Sequence, residues 1–279
     1  FLDKEIKGTI LIATEGVNAS IAGKLEDLEE TTRYIKKILK IRKFEIKINQ
    51  VEFLPFNRMK VRIKNEIVSL GQGSIDVEKL KARSVNPDEW NKILMDKNTY
   101  VIDVRNNFEI SIGKFDKAIN PDTESFRQFP AAMKKLSINK TNKIAMYCTG
   151  GIRCEKASAF LKLQGYKNIV QLNGGIINYL EKSNIKNNKL FWKGECFVFD
   201  DRVAINKLLK KGKYKQCYGC RQPLSNSDTL SKHYKPGVHC PYCINKRSDT
   251  QKKNSETRQN QIKQAEENNK DHPFKKIYS

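Results

Sequence analysis

The stretch from Tyr147 to Cys154 limits what this chain can fold into more than any other feature. An apolar run ends at Cys148, and apolar residues at helical spacing begin after the loop, so the cysteine follows a strand and precedes a helix. Gly150 and Gly151 allow successive backbone N–H groups to point inward, and the helix start adds the positive end of its dipole. The stretch therefore predicts an α/β domain whose strand-to-helix loop stabilises a thiolate or a bound anion.

This loop is the predicted catalytic site. We expect Cys148 to have a pKa below that of a free thiol and to act as a nucleophile. Arg153 closes the ring, at a spacing that suits a loop for sulfane sulfur rather than the longer loop of cysteine phosphatases. The alternative is a buried structural cysteine behind a glycine-rich turn. The residues expected to line the loop are Thr149, Gly150, Gly151 and Ile152.

Charge is unevenly distributed along the chain. The sequence holds 53 Lys and Arg against 31 Asp and Glu, and residues 202–279 alone hold 18 against 6. Such a concentration of positive charge suggests a polyanion such as nucleic acid as partner. A solvated, lysine-rich surface is the alternative.

The first 70 residues predict a partial α+β domain. Strands are expected over 8–13 and 17–22, a helix over 25–40 and a strand over 44–48. This order matches a ferredoxin-like (acylphosphatase-like) domain whose first strand and helix are missing. The fold class expected for the chain is therefore a truncated ferredoxin-like domain, a parallel-sheet α/β domain and a small Cys-rich segment.

A basic stripe ends the first domain. Arg58, Lys60 and Arg62 alternate along a predicted strand, with aromatic residues just upstream. Bases stack on aromatic rings while cations follow the phosphate backbone, so the stripe is a predicted RNA-binding surface. The alternative is the solvated face of an amphipathic strand. The polar, glycine-containing stretch 71–84 is expected to be a linker to the α/β domain at 85–185.

Two Cys-x-x-Cys pairs mark the segment 186–250. Nineteen residues separate the pairs, a spacing typical of a structural zinc site with four thiolate ligands. A metal-free arrangement held by packing or reversible disulfides is the alternative. His233 and His239 are either substitute ligands or ordinary surface histidines. The predicted ligands are Cys217, Cys220, Cys240 and Cys243. The remaining residues, 251–279, predict a basic polar tail, either a frayed surface helix or disordered.

The cellular setting follows from composition. No apolar stretch approaches the length of a membrane span, so no membrane partner is expected. No secretory leader precedes the fold, and the seven cysteines include paired Cys-x-x-Cys motifs rather than a disulfide framework. These features predict a cytoplasmic protein.

The order and spacing of several segments in 85–185 resemble a rhodanese domain. The segments that carry the resemblance are Val101–Arg105, Glu109–Pro121, Cys148–Arg153, Gly165–Tyr166 and Asn173–Gly175. The resemblance implies that Cys148 carries a persulfide while Asp103 and Arg105 support the site. A purely structural ion pair between Asp103 and Arg105 is the alternative.

A closer resemblance covers essentially the whole chain. Its segments are Ala13–Asn18, Phe56–Arg62, Tyr147–Lys156 and His233–Val238. Together they resemble the bacterial rhodanese-containing tRNA uridine hydroxylases. The resemblance implies an oxidoreductase for tRNA modification that uses molecular oxygen to convert the wobble uridine, in the anticodon loop, to 5-hydroxyuridine.

The cofactor is not evident from the residues. Oxygen-dependent hydroxylation of a base normally uses a flavin or a metal. The sequence has no glycine-rich motif for a flavin or nicotinamide, and its three His form no set with a carboxylate at recognisable spacing. The electron donor is therefore unidentified, and Cys148 could carry a persulfide or a sulfenic or peroxidic intermediate. Two other functions stay open: a persulfide sulfurtransferase acting on tRNA or a carrier protein, and a non-catalytic RNA-binding module.

Overall fold

The computed structural model describes residues 4–41, 45–186 and 189–270, with the backbone alone at Lys186. The chain forms two compact units. One consists of Phe1–Ile67 together with Gln216–Ser279, and the other is Val68–Lys215. No helix in the described residues is both long and apolar enough to cross a membrane.

The N-terminal part of the first unit is a three-stranded sheet with one helix. Its elements are β1 (Lys7–Ala13), β2 (Gly16–Ala22), α1 (Leu25–Ile38) and β3 (Met59–Ile63). β1 lies in the middle, antiparallel to β2 and parallel to β3. Ile10 and Ile35 are buried. The antiparallel strands β1 and β2 confirm the strands predicted over 8–13 and 17–22. Helix α1 confirms the helix predicted over 25–40, and β3 confirms the strand predicted for the basic stripe.

The strand expected over 44–48 is wrong in its described part. Phe44 lies outside the described residues, and 45–48 have no regular structure. Ile46 and Ile48 are half or more exposed, so their alternation with charged residues buries no apolar face. The sheet position parallel to β1 is filled by β3 instead.

The second unit is built on a parallel sheet. Its elements are α2 (Val77–Leu80), β4 (Arg83–Val85), α3 (Pro87–Met95), β5 (Thr99–Asp103), α4 (Asn107–Ile110), β6 (Gly113–Phe115), α5 (Phe129–Lys135), β7 (Lys143–Tyr147), α6 (Ile152–Leu163), β8 (Asn168–Leu172), α7 (Gly175–Lys186), β9 (Trp192–Gly194), β10 (Cys196–Phe197) and β11 (Ala204–Ile205). Four parallel strands pair in the order β4-β8-β7-β5, and two small antiparallel sheets pair β6 with β9 and β10 with β11. Buried residues such as Ile102, Met146 and Ala145 fill both faces of β5 and β7, as expected for a parallel sheet covered by helices.

The polar stretch 71–84, expected to be a linker, contains α2 and the first two residues of β4. Ile75 and Ala82 are buried in the core of the second unit. Val77 and Leu80, which are partly buried, pack against the same core, so scattered apolar residues anchor a stretch whose overall composition is polar. The remaining elements in the described residues are the short β12 (Lys215–Gln216), β13 (Pro223–Leu224) and α8 (Asn226–Leu230) and the longer α9 (Asp249–Glu267), most of which lies in the expected polar tail.

Candidate functional site

The Cys148 loop has the predicted strand-loop-helix form. β7 ends at Tyr147, and α6 begins at Ile152. The backbone N–H of Gly151 points to the Cys148 sulfur, with N to Sγ at 3.1 Å. Gly151 has φ of 102°, a conformation that glycine adopts without a steric penalty. Cys148 is only 1% exposed, so its sulfur is largely shielded from water.

Helix α7 fixes the loop from the other side. The N–H groups of Ile176 and Ile177 donate to the carbonyl oxygens of Cys148 and Thr149 at 3.0 and 3.2 Å. A side chain at Gly175 would place its Cβ 2.4 Å from the Cys148 oxygen and 2.6 Å from the Thr149 oxygen, far inside contact distance. These two carbonyls are therefore bound by α7, while the Gly151 N–H is turned toward the sulfur.

The environment of Cys148 favours the thiolate. Burial raises the pKa of Cys148, but several groups that favour the ionised sulfur outweigh it and lower the pKa to about 5. The largest of them is a hydrogen bond from the Cys154 thiol, followed by the charge of Arg153 and the backbone N–H groups of Cys154 and Gly151. At neutral pH the sulfur is ionised, as a nucleophile requires.

Arg153 is held by the carboxylate of Glu109, which was not among the predicted site residues. Its Nη1 and Nη2 donate to the two oxygens of Glu109 at 2.6 and 2.7 Å, and both side chains are buried. Burial raises the pKa of Glu109, but the charge and hydrogen bonds of Arg153 outweigh it and lower that pKa. Arg153 also lies 3.3 Å from the Thr149 hydroxyl. Most of its donors are therefore already occupied within the protein.

A helix-capping pattern in the sequence could have identified Glu109 as a structurally important residue. Its Oε2 accepts from the backbone N–H of Asn106 at 3.1 Å, which caps the start of α4. An Asn followed three residues later by Glu is the pattern of such a cap. The cap fixes one oxygen of Glu109 so that the carboxylate faces Arg153, 44 residues later in the chain.

Asp103 and Arg105 form a buried ion pair. Arg105 Nε and Nη2 donate to the two oxygens of Asp103 at 2.9 and 2.6 Å, and Nη2 also donates to the Gly113 carbonyl at 2.7 Å. The Arg105 guanidinium carbon lies 5.2 Å from the centroid of the Trp192 ring. These contacts tie the end of β5 to β6 and β9, which supports the structural interpretation of the pair. A direct role in catalysis remains a prediction.

Two further cysteines lie near the loop. Burial raises the pKa of Cys154 well above its usual range, with the neighbouring Cys148 thiolate acting in the same direction. Burial raises the pKa of Cys196 to about 12. Both thiols therefore stay protonated at neutral pH, and Cys148 differs from them because it alone of the three has a lowered pKa.

The four cysteines of the two Cys-x-x-Cys pairs come together. Their sulfurs all lie within 4.8 Å of one another, and three of the pairs are separated by 3.7 to 3.9 Å. Four thiolates at about 2.3 Å from a tetrahedral zinc ion would be about 3.8 Å apart, so the cluster fits that metal. Within the described residues this ligand group contains neither His233 nor His239. Leu224 is buried beside the sulfurs.

The basic stripe gains a residue from the Cys-rich segment. Arg58 and Arg62 are exposed, and Lys60 is half-buried. Burial lowers the pKa of Lys60, and the charges of Arg58, Arg62 and Arg221 lower it further. Arg221, directly after Cys220, therefore lies near the stripe although it is more than 150 residues away in sequence. All four cations belong to the first unit, whereas Cys148 belongs to the second.

Comparison with known proteins identifies the family. The UPF0176 acylphosphatase-like domain matches residues 1–67, and the rhodanese-like domain matches residues 86–182. A tRNA uridine(34) hydroxylase of Pelagibacter ubique is 47% identical over 278 residues, which is 99% of this chain and 91% of that protein. The chain belongs to the tRNA uridine(34) hydroxylase family. The resemblances seen in the sequence, to this family and to its two domains, are confirmed.

Two solved structures of rhodanese proteins each match about a third of the chain. A rhodanese-related protein from Thermoplasma volcanium is 30% identical over 36% of this chain and 92% of its own, with a TM-score of 0.30. A rhodanese-like domain protein from Staphylococcus aureus is 27% identical over 35% of this chain and 90% of its own, also with a TM-score of 0.30.

Proposed function

We propose that this protein hydroxylates C5 of uridine 34 in tRNA with molecular oxygen, and that the reaction takes place at the Cys148 loop. The observation that carries the proposal is the 47% identity to a tRNA uridine(34) hydroxylase over 99% of the chain. The loop supports it, because a thiolate with a pKa of about 5 is ionised at neutral pH. Arg153 and the Gly151 N–H hold that charge in place.

The stoichiometry of the reaction defines what the protein still requires. Inserting one oxygen atom of O2 into the C5–H bond leaves the other atom to depart as water, which consumes two electrons and two protons. An external donor must supply those electrons in each cycle. Cys148 is the most readily oxidised group of the loop because its sulfur is a thiolate.

The tRNA is proposed to bind through the cations of the first unit. Lys60 and Arg62 lie at alternate positions of β3, Arg58 directly precedes that strand, and Arg221 adds a fourth charge near Lys60. A cluster of this kind suits the phosphates of an anticodon stem-loop. Zinc held by Cys217, Cys220, Cys240 and Cys243 would stabilise the segment that carries Arg221.

A strain that lacks the gene distinguishes the candidate functions. Mass spectrometry of its tRNA nucleosides should show loss of 5-hydroxyuridine and its derivatives. Wild-type protein should restore them, Cys148→Ala should not, and Cys196→Ser should, because the Cys196 thiol is protonated and outside the loop. Loss of a thiolated base instead would identify a sulfurtransferase, and unchanged nucleosides would indicate a non-catalytic RNA-binding module.

A further inference from the structure

Phe199 is an exposed aromatic residue beside the catalytic loop. It is 66% exposed, whereas the two residues before it, Phe197 and Val198, are 1% and 4% exposed. A single exposed apolar side chain is common on protein surfaces. The position of this one is what matters: the centroid of its ring lies 6.0 Å from the guanidinium carbon of Arg153.

The backbone that carries Phe199 is held by a hairpin. β10 and β11 pair on either side of the turn, and the N–H of Val198 donates to the Val203 carbonyl at 2.9 Å. Within the turn, Arg202 donates to Asp200, with Nη2 to Oδ2 at 2.6 Å. The ring therefore projects from a fixed turn.

One short helix fixes both the ring and the guanidinium. The Phe199 ring packs edge-on against Phe197 at 5.1 Å, and Phe197 packs edge-on against Phe108 at 5.1 Å. Phe108 lies in α4 next to Glu109, which binds Arg153. The distance between the exposed ring and the loop is thus set by adjacent residues of α4.

We propose that Phe199 is the stacking platform for the target pyrimidine base and places it at the mouth of the Cys148 loop. This inference rests on the proposed function. Unpaired RNA bases stack on aromatic rings, and the exposed Phe199 ring lies 6.0 Å from the guanidinium carbon of Arg153, the residue whose charge acts on Cys148. Arg153 is itself buried and paired with Glu109, so the surface available for stacking is the Phe199 ring. Phe199 is a positioning residue that accepts any flat base, so recognition of uridine must come from other contacts.

Kinetics with tRNA test the platform. Loss of one base stack in Phe199→Ala should lower kcat/KM for hydroxylation by about tenfold or more. Phe199→Tyr should retain most of the activity, because it restores a flat ring. Leu163→Ala is the matched control, since Leu163 is 56% exposed and ends α6 about 16 Å from the loop end of that helix. A kcat/KM for Phe199→Ala equal to that of Leu163→Ala would overturn the inference.

Photochemical cross-linking tests the contact without requiring turnover. An anticodon stem-loop RNA with 5-iodouridine at position 34 is irradiated with the Cys148→Ser protein, so that the thiolate does not compete. Peptide mass spectrometry should find the cross-link on Phe199 and find it lost in Phe199→Ala. Cross-links confined to other residues would overturn the platform. If wild-type protein hydroxylates no tRNA, the proposed function fails, while the cross-link still decides whether Phe199 holds the base.

Discussion

The bidentate pair between Glu109 and Arg153 is the residue-scale feature on which the loop most depends. We expect Glu109→Gln to lower the free energy of unfolding by about 3 to 5 kcal/mol, because it leaves a buried guanidinium without its counter-charge. Chemical denaturation measures this. Glu89→Gln is the control: it breaks the exposed pair with Arg83 and should change stability little. If the two substitutions lowered the free energy of unfolding equally, burial would not strengthen the contribution of the Glu109–Arg153 pair to stability.

Cys154 acts on the pKa of Cys148. Burial raises that pKa, and the Cys154 thiol is the largest of the groups that bring it down to about 5. Cys154→Ala removes the hydrogen bond, so the pKa of Cys148 should rise and the acid limb of kcat/KM should move to higher pH. Cys154→Ser retains a donor and should stay closer to wild type.

The pKa of Cys148 is read from the ultraviolet absorbance of the thiolate. Subtracting the matching protein that also carries Cys148→Ala removes the signal of other thiolates, including those of the cysteine cluster. A midpoint in Cys154→Ala unchanged from that of wild type would contradict the role given to the Cys154 thiol.

At the scale of elements, strand β3 and its flanks are predicted to bind RNA phosphates. Changing Arg58 and Arg62 to Gln together should raise KM for tRNA more than it lowers kcat, since phosphate contacts bind the ground state and the transition state about equally. The dependence of tRNA affinity on salt should also become shallower. Arg33→Gln with Lys37→Gln on helix α1 removes the same charge and should leave the slope unchanged. An identical slope in all three proteins would exclude β3 as the RNA surface.

At the scale of the whole molecule, the two compact units should respond differently to metal removal. Chelation of the proposed zinc should unfold 217–243 and expose it to proteolysis, because this segment has few apolar residues to hold it together. Both tryptophans of the chain, Trp90 and Trp192, are buried in the second unit. Tryptophan fluorescence therefore monitors that unit alone, and its unfolding curve should not move. Metal-free protein with unchanged proteolysis after chelation would contradict the zinc site.

How much the sequence could predict depends on how far apart the partners lie along the chain. The Cys148 loop was predictable because its strand, glycines and helix are contiguous. The carboxylate partner of Arg153 and the ring of Phe199 were not, because Glu109 and Phe199 lie 44 and 46 positions away and reach the loop only through α4 and the β10–β11 hairpin. Arg221 was missed for the same reason. The packing of the stretch 71–84 was not predicted because a few scattered apolar residues, including Ile75 and Ala82, anchor a segment of polar composition.

The ion pair between Arg153 and Glu109 also affects which reagents can approach the loop. Glu109 offsets the charge of Arg153, and the ionised sulfur of Cys148 adds a second negative charge to the buried loop. A dianion such as thiosulfate would be repelled at close range, and the repulsion would be strong because the buried loop has a low effective dielectric constant. Dioxygen and uracil carry no charge and meet no such barrier. We therefore expect the pair that holds the loop together also to favour neutral co-substrates over anionic ones.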